Sequence, residues 1–123
     1  MEKRERLLVV EDDPAMRQTI EQAAERLHLD PIQATDGWDA IRKLETNSYA
    51  AVVLDEKAAQ NSAFGVIRYI TEEFGQDTLS RVLFLGNESD ERLQAPQLRV
   101  MARTDDVDDI VSAIERCESE VVK

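Results

Sequence analysis

Glu11 and Asp12 follow directly on the apolar run Leu7-Leu8-Val9-Val10, and Asp55 closes a second run, Ala51-Val52-Val53-Leu54. Short apolar runs of this kind read as buried strands of a parallel α/β sheet, whose carboxyl ends line one crevice. Two acids after one strand and one after a neighbour therefore converge. Carboxylates crowded together repel one another and invite a hard divalent cation such as Mg2+. A carboxylate neutralised in this way can also accept a phosphoryl group, since the charge on the transferring group no longer repels the nucleophile. Asp12 taken alone could be only a helix cap. Acids ending two buried strands would otherwise carry an uncompensated desolvation cost, and this favours a site.

The elements that must position these acids are legible as apolar runs alternating with segments of helical period, the pattern of a doubly wound sheet. Five such pairs are present. After the first strand, Asp13 is placed to cap and Pro14 to occupy the first turn of a helix whose Met16, Ile20, Ala24 and Leu27 share one face. The second strand, near Ile32 to Thr35, is polar enough to be an edge. Asp36 begins a helix carrying Ile41 and Leu44, and Tyr49 to Leu54 is the most apolar strand, predicted to be central. A polar loop after Asp55 leads to a helix from about Ser62 that uses Val66, Ile67 and Ile70 and stops near Gly75. Arg81 to Leu85 reads as the fourth strand and Leu98 to Ala102 as the fifth. Between them Glu88 to Leu93 leaves room for a turn or two of helix before Pro96. Val107, Ile110, Val111 and Ile114 mark a closing amphipathic helix to about Cys117.

With 123 residues the chain has the size of one domain and can bury a core without disulfides. We expect a domain over residues 1–118 and, over 119–123, a tail or the start of a linker to an absent effector. The single cysteine, Cys117, cannot form an internal bridge and reads as a packing residue. No apolar run approaches the roughly 20 residues that span a bilayer. These features lead us to expect a cytoplasmic protein without a membrane association. A net charge of −11 argues against direct nucleic-acid contact, which needs clustered Lys and Arg; most of that acidity reads as solvated helix face. His28 and Trp38 read as surface residues, Trp38 with a lesser claim to mark a partner surface.

Five β/α pairs, an acidic pair after the first strand and an aspartate ending the third resemble the receiver domain of two-component response regulators. The resemblance covers nearly the whole chain. It rests on Leu7-Leu8-Val9-Val10-Glu11-Asp12-Asp13-Pro14, on Ala34-Thr35-Asp36-Gly37-Trp38-Asp39-Ala40 and on Val53-Leu54-Asp55. It implies a flavodoxin-like (βα)5 fold with strand order 2-1-3-4-5. It further implies that Glu11, Asp12 and Asp55 hold Mg2+ with the backbone carbonyl of Lys57, and that Asp55 is the phosphoacceptor. The implied partners are a histidine kinase or phosphotransfer protein and an effector domain or partner protein, with a homodimer through the face of the last helices.

Two supporting positions depart from the family pattern. Gly86 stands where the family has Ser or Thr, so the hydroxyl that is drawn toward a phosphate is missing. Arg103 stands where the family has Lys followed by Pro; it keeps the charge but presents a longer planar group. Arg103 is expected either to clamp phosphate or to be a resident counter-ion of Asp55. The loop after Asp55 lacks the usual Met-Pro and runs longer before Gly65. The stretch between Gly86 and Arg103 is short, and Val100 replaces an aromatic common in the family.

The expected function is therefore an atypical receiver in a phosphorelay, not an enzyme beyond its own phosphorylation. An alternative keeps the fold and drops the chemistry, giving a phosphorylation-independent interaction module. A third reading is a metal-dependent phosphatase or hydrolase with a nucleophilic aspartate, in which Glu56 would have to supply the second acid.

Overall fold

The apolar runs become the inner strands of a sheet because they are apolar at every position, which suits strands covered on both faces. The structure is a computed structural model that describes residues 4–57, 63–86 and 97–119. Its strands are β1 (Arg6–Val10), β2 (Asp30–Ala34), β3 (Ala51–Asp55), β4 (Val82–Leu85) and β5 (Arg99–Met101), all parallel in the order β2-β1-β3-β4-β5. This is the expected topology. Every residue of β3 and β4 is buried, whereas β2, with Pro31, and the three-residue β5 form the half-exposed edges.

Alternation along the strands sorts their side chains into two cores. Leu7, Val9, Ala51, Val53, Leu83 and Leu85 pack with α1 (Pro14–Arg26) and α4 (Val107–Ser119). Leu8, Val10, Val52, Leu54, Val82 and Phe84 face α2 (Gly37–Thr46) and α3 (Ala63–Phe74). Glu11 continues the first series and so does Asp55, and the period of two thus carries both acids toward the α1/α4 side. Glu56 continues the second series, as does Gly86.

Caps hold the helices that frame the strand ends. Asp13 is the N-cap of α1, accepting from the Ala15 N–H, with Pro14 in the first turn, and Asp36 caps α2 by accepting from the Asp39 N–H. α1 ends by a different device from the glycine that usually terminates helices. His28 takes φ +57° while the Leu29 N–H returns to the Ala24 carbonyl at 2.9 Å. Cys117 is buried in the α1/α4 core, His28 is exposed, and Trp38 is 77% exposed.

Several boundaries move. β2 and β3 are displaced from the expected spans, and β5 is shorter. Arg81 lies outside β4, at the end of a 3₁₀ helix Gln76–Arg81 that anchors itself through the buried Leu79. That segment is polar apart from Leu79, so it carries no apolar period that would signal a helix. α4 reaches Ser119. Ser62, the loop 58–62 and the expected turn at Glu88–Leu93 lie outside the described residues.

Candidate functional site: a buried carboxylate pair under an arginine

Asp55 ends the central strand fully buried, and Glu11, just past β1, is only 2% exposed. Two β-branched or leucine side chains precede each acid, so the strand packing that buries the core also drags these carboxyls out of water. Asp55 Oδ1 accepts the Lys57 N–H at 2.9 Å, a tight local turn that orients the carboxylate. Glu11 Oε2 accepts the Asp13 N–H at 3.1 Å. The remaining oxygens, Glu11 Oε1 and Asp55 Oδ2, are buried without a hydrogen-bond donor among the described residues.

This arrangement perturbs Glu11 strongly. Burial first, then its contact with the Asp55 carboxyl and the negative charge there, push its pKa from 4.5 up to about 8; the Asp13 N–H and Arg103 oppose the rise. A proton on Glu11 gives the pair the donor that two carboxylates lack.

Arg103, just past the end of β5, reaches back over the crevice. Its Nη2 donates to Asp13 Oδ2 at 2.7 Å, its Nε stands 2.8 Å from Asp55 Oδ2, and Nη2 lies 4.0 Å from Glu11 Oε2. The approach to Asp55 is an ion pair without hydrogen-bond alignment. Burial works against the Arg103 charge, but Asp55, Asp13 and Glu11 more than offset it, so the guanidinium stays fully charged. Arg103 and the N–H of Ala15 in turn hold Asp13 below its usual carboxylate range. Asp13 thus serves two purposes at once, one oxygen capping α1 and the other gripping Arg103. Sequence reasoning found the cap and missed the grip. The partners are 90 residues apart, and only the second, unspent oxygen of a capping aspartate hints at another role.

Of the residues singled out as metal ligands, the structure brings Glu11 and Asp55 together. Asp12 is exposed beside them, and Lys57 contributes its N–H to Asp55. Among the described residues no group of three His, Cys, Asp or Glu side chains is arranged to hold a metal ion. The two orphaned oxygens are nevertheless hard donors of the kind a divalent cation takes, Glu11 becoming anionic on release of its proton.

At the end of β4, Gly86 donates its N–H to the Met101 carbonyl at 2.8 Å, extending the ladder toward β5. A Cβ on Gly86 would meet Glu56 Oε1 at 2.6 Å, the Phe84 ring at 2.8 Å and Glu56 Cβ at 3.1 Å. The Glu56 side chain therefore lies over the backbone where a side chain at position 86 would begin.

No family model matches this sequence, and no curated protein does. Solved structures do. The receiver domain of a sensor histidine kinase from Pseudomonas aeruginosa PAO1, described with a magnesium ion coordinated in its active-site cleft, is 21% identical with a TM-score of 0.77, over 95% of this chain and 99% of that one. The signal receiver domain of a histidine kinase from Syntrophus aciditrophicus is 18% identical with a TM-score of 0.79, over 97% and 93%. A chain from the complex of the histidine kinase ThkA with the response regulator TrrA is 20% identical with a TM-score of 0.76, over 92% and 97%. The strand order and the two helical layers are thus arranged as in receiver domains, and that is the fold of this chain.

Proposed function

We propose that this chain is a receiver domain of two-component signalling that accepts a phosphoryl group on Asp55. The observation that carries the reading is the placement of Asp55, fully buried at the end of the central strand, with Oδ2 lacking a hydrogen-bond donor and facing a guanidinium. In the proposed step an Asp55 carboxylate oxygen attacks phosphorus. The P–N bond of a kinase phosphohistidine breaks, its electron pair returning to the imidazole. Glu11, Asp12 and Asp55 would hold Mg2+, which supplies charge neutralisation to the transferring group. For Asp55 to serve as a ligand with both oxygens available, Arg103 would have to release Oδ2. Arg103 then remains tethered by Asp13 at the rim, where its fork suits a phosphoryl group.

A histidine kinase or a phosphotransfer protein is the proposed donor, consistent with a structural neighbour described as a kinase–regulator complex. An effector domain or protein is the proposed recipient, a homodimer through α4 is a further proposed assembly, and the cytoplasm is the proposed location. Among the described residues no helix is long and apolar enough to cross a membrane.

A second reading, an interaction module that works without phosphate, is favoured by one observation: at position 86 there is no hydroxyl to move, and the space is taken by Glu56. Intact mass after incubation with magnesium and acetyl phosphate, beside Asp55→Asn, separates the two. A magnesium-dependent gain of one phosphoryl group, absent from the variant, is expected. Its absence with acetyl phosphate and with a cognate kinase would leave the interaction module.

A further inference from the structure

At position 86 the end of β4 presents bare backbone, yet the space beside it is not empty. The register Asp55↔Leu85 continues one step further, since the Glu56 N–H donates to the Leu85 carbonyl at 2.9 Å, and this sets Glu56 beside Gly86 on the same face. Glu56 is only partly exposed, and its Cβ as well as its carboxylate lie within contact of any atom added to Gly86. A flexible carboxylate tip could swing aside cheaply; the Glu56 Cβ cannot. The Phe84 ring that completes the seat is backed by Phe64, ring centroids 5.3 Å apart. Gly86 therefore makes room both for Glu56 and for the Phe84 ring.

From this geometry we infer that Glu56 is a positioning residue that stands in for the missing side chain at 86 and holds the β4 side of the acceptor site in one arrangement, hindering entry of a phosphoryl group to Asp55. The inference rests on the phosphoacceptor reading for its second half only. The seat itself is a statement about packing. A carboxylate immediately after Asp55 adds negative charge beside the path of an anion, and its bulk fills the space that a mobile hydroxyl would sweep. The step affected is attack of Asp55 on phosphorus with cleavage of the bond to the leaving oxygen of an acyl phosphate, the electron pair departing with the acetate.

The test uses the full chain and three variants, Gly86→Ser, Glu56→Gly, which removes the obstructing Cβ, and the double variant, with thermal midpoint and initial phosphorylation rate from acetyl phosphate and magnesium as separate readouts. Gly86→Ser alone is expected to lower the midpoint by about 5 °C. In the Glu56→Gly background at least half of that loss should disappear. A smaller recovery, or a Gly86→Ser protein as stable as the parent, overturns the seat. Where the parent takes phosphate, Glu56→Gly should be phosphorylated about threefold faster or more, and an unchanged rate overturns the hindrance. If neither the parent nor any variant gains mass, the phosphoacceptor reading fails, and the stability coupling alone decides whether Glu56 holds position 86.

Discussion

The two halves of the strand-end crevice differ in kind. On the β1/β3 side, ionisable groups are concentrated beyond what packing needs: two buried carboxyls share a pocket, two of their oxygens lack donors, and an arginine is tied across them. On the β4 side the ionic machinery gives way to contact, with a bare glycine under a neighbouring side chain. One half stores electrostatic tension that a ligand could relieve, and the other is packed as a rigid floor. The difference teaches that charge and packing are carried by separate residues of one crevice, with the groups that a ligand could neutralise on the β1/β3 side and side-chain contact on the β4 side.

The largest expected effect would break this contrast at Glu11. The folded protein keeps the Glu11 proton up to about pH 8, whereas the unfolded side chain releases it near 4.5. Across that window the folded state holds the extra proton, so rising pH favours unfolding and stability should fall from about pH 5 to pH 8. In chelator-treated protein, urea midpoints measured over this range should decline, and Glu11→Gln should flatten the decline. A parent profile that is already flat would mean that the carboxyl pair is not under tension.

Next in size is Arg103→Ala, which leaves Asp55 buried without its counter-ion. The side chain is 34% exposed, so the loss is moderated by solvent to about 2 kcal/mol by denaturant titration. The same variant should bind magnesium more tightly by calorimetry, because the resident cation no longer competes for Asp55 Oδ2. Weaker magnesium binding would instead show the guanidinium to be an organiser of the site. Asp13→Ala should lower the urea midpoint by less than Arg103→Ala does, chiefly through the lost cap, and should show part of the magnesium effect of Arg103→Ala. The smallest effect sharpens the comparison from outside. The exposed pair Arg4–Glu25 at 3.3 Å is an ion pair without burial, and Arg4→Ala should change stability by only about 0.5 kcal/mol or less.

Strand positions were legible because burial on both faces demands uninterrupted apolar runs, and β1, β3 and β4 obey it. The edge position of β2 could be read from its polarity and the start of α2 from Asp36. Asp55 and Glu11 stood out because acids at the ends of such runs need a reason. What escaped was decided by contacts remote in sequence or by geometry without a pattern. The bond from Arg103 to Asp13 joins opposite ends of the chain, and the seating of Glu56 on Gly86 depends on the β3/β4 register. The 3₁₀ helix at Gln76–Arg81 rests on one buried leucine, and at His28 a histidine adopts the left-handed turn where glycine is the usual signal.

The divided loyalty of Asp13 has a thermodynamic corollary. One carboxylate helps to start α1 and also restrains the arginine above Asp55, so the free energy of occupying the crevice and the free energy of fixing the first turn of α1 are not independent. Whatever draws Arg103 away from Asp13 as well as from Asp55 alters the carboxylate that caps that first turn, and to the extent of that coupling a protein that clasps the beginning of α1 changes the affinity of the crevice by the same factor.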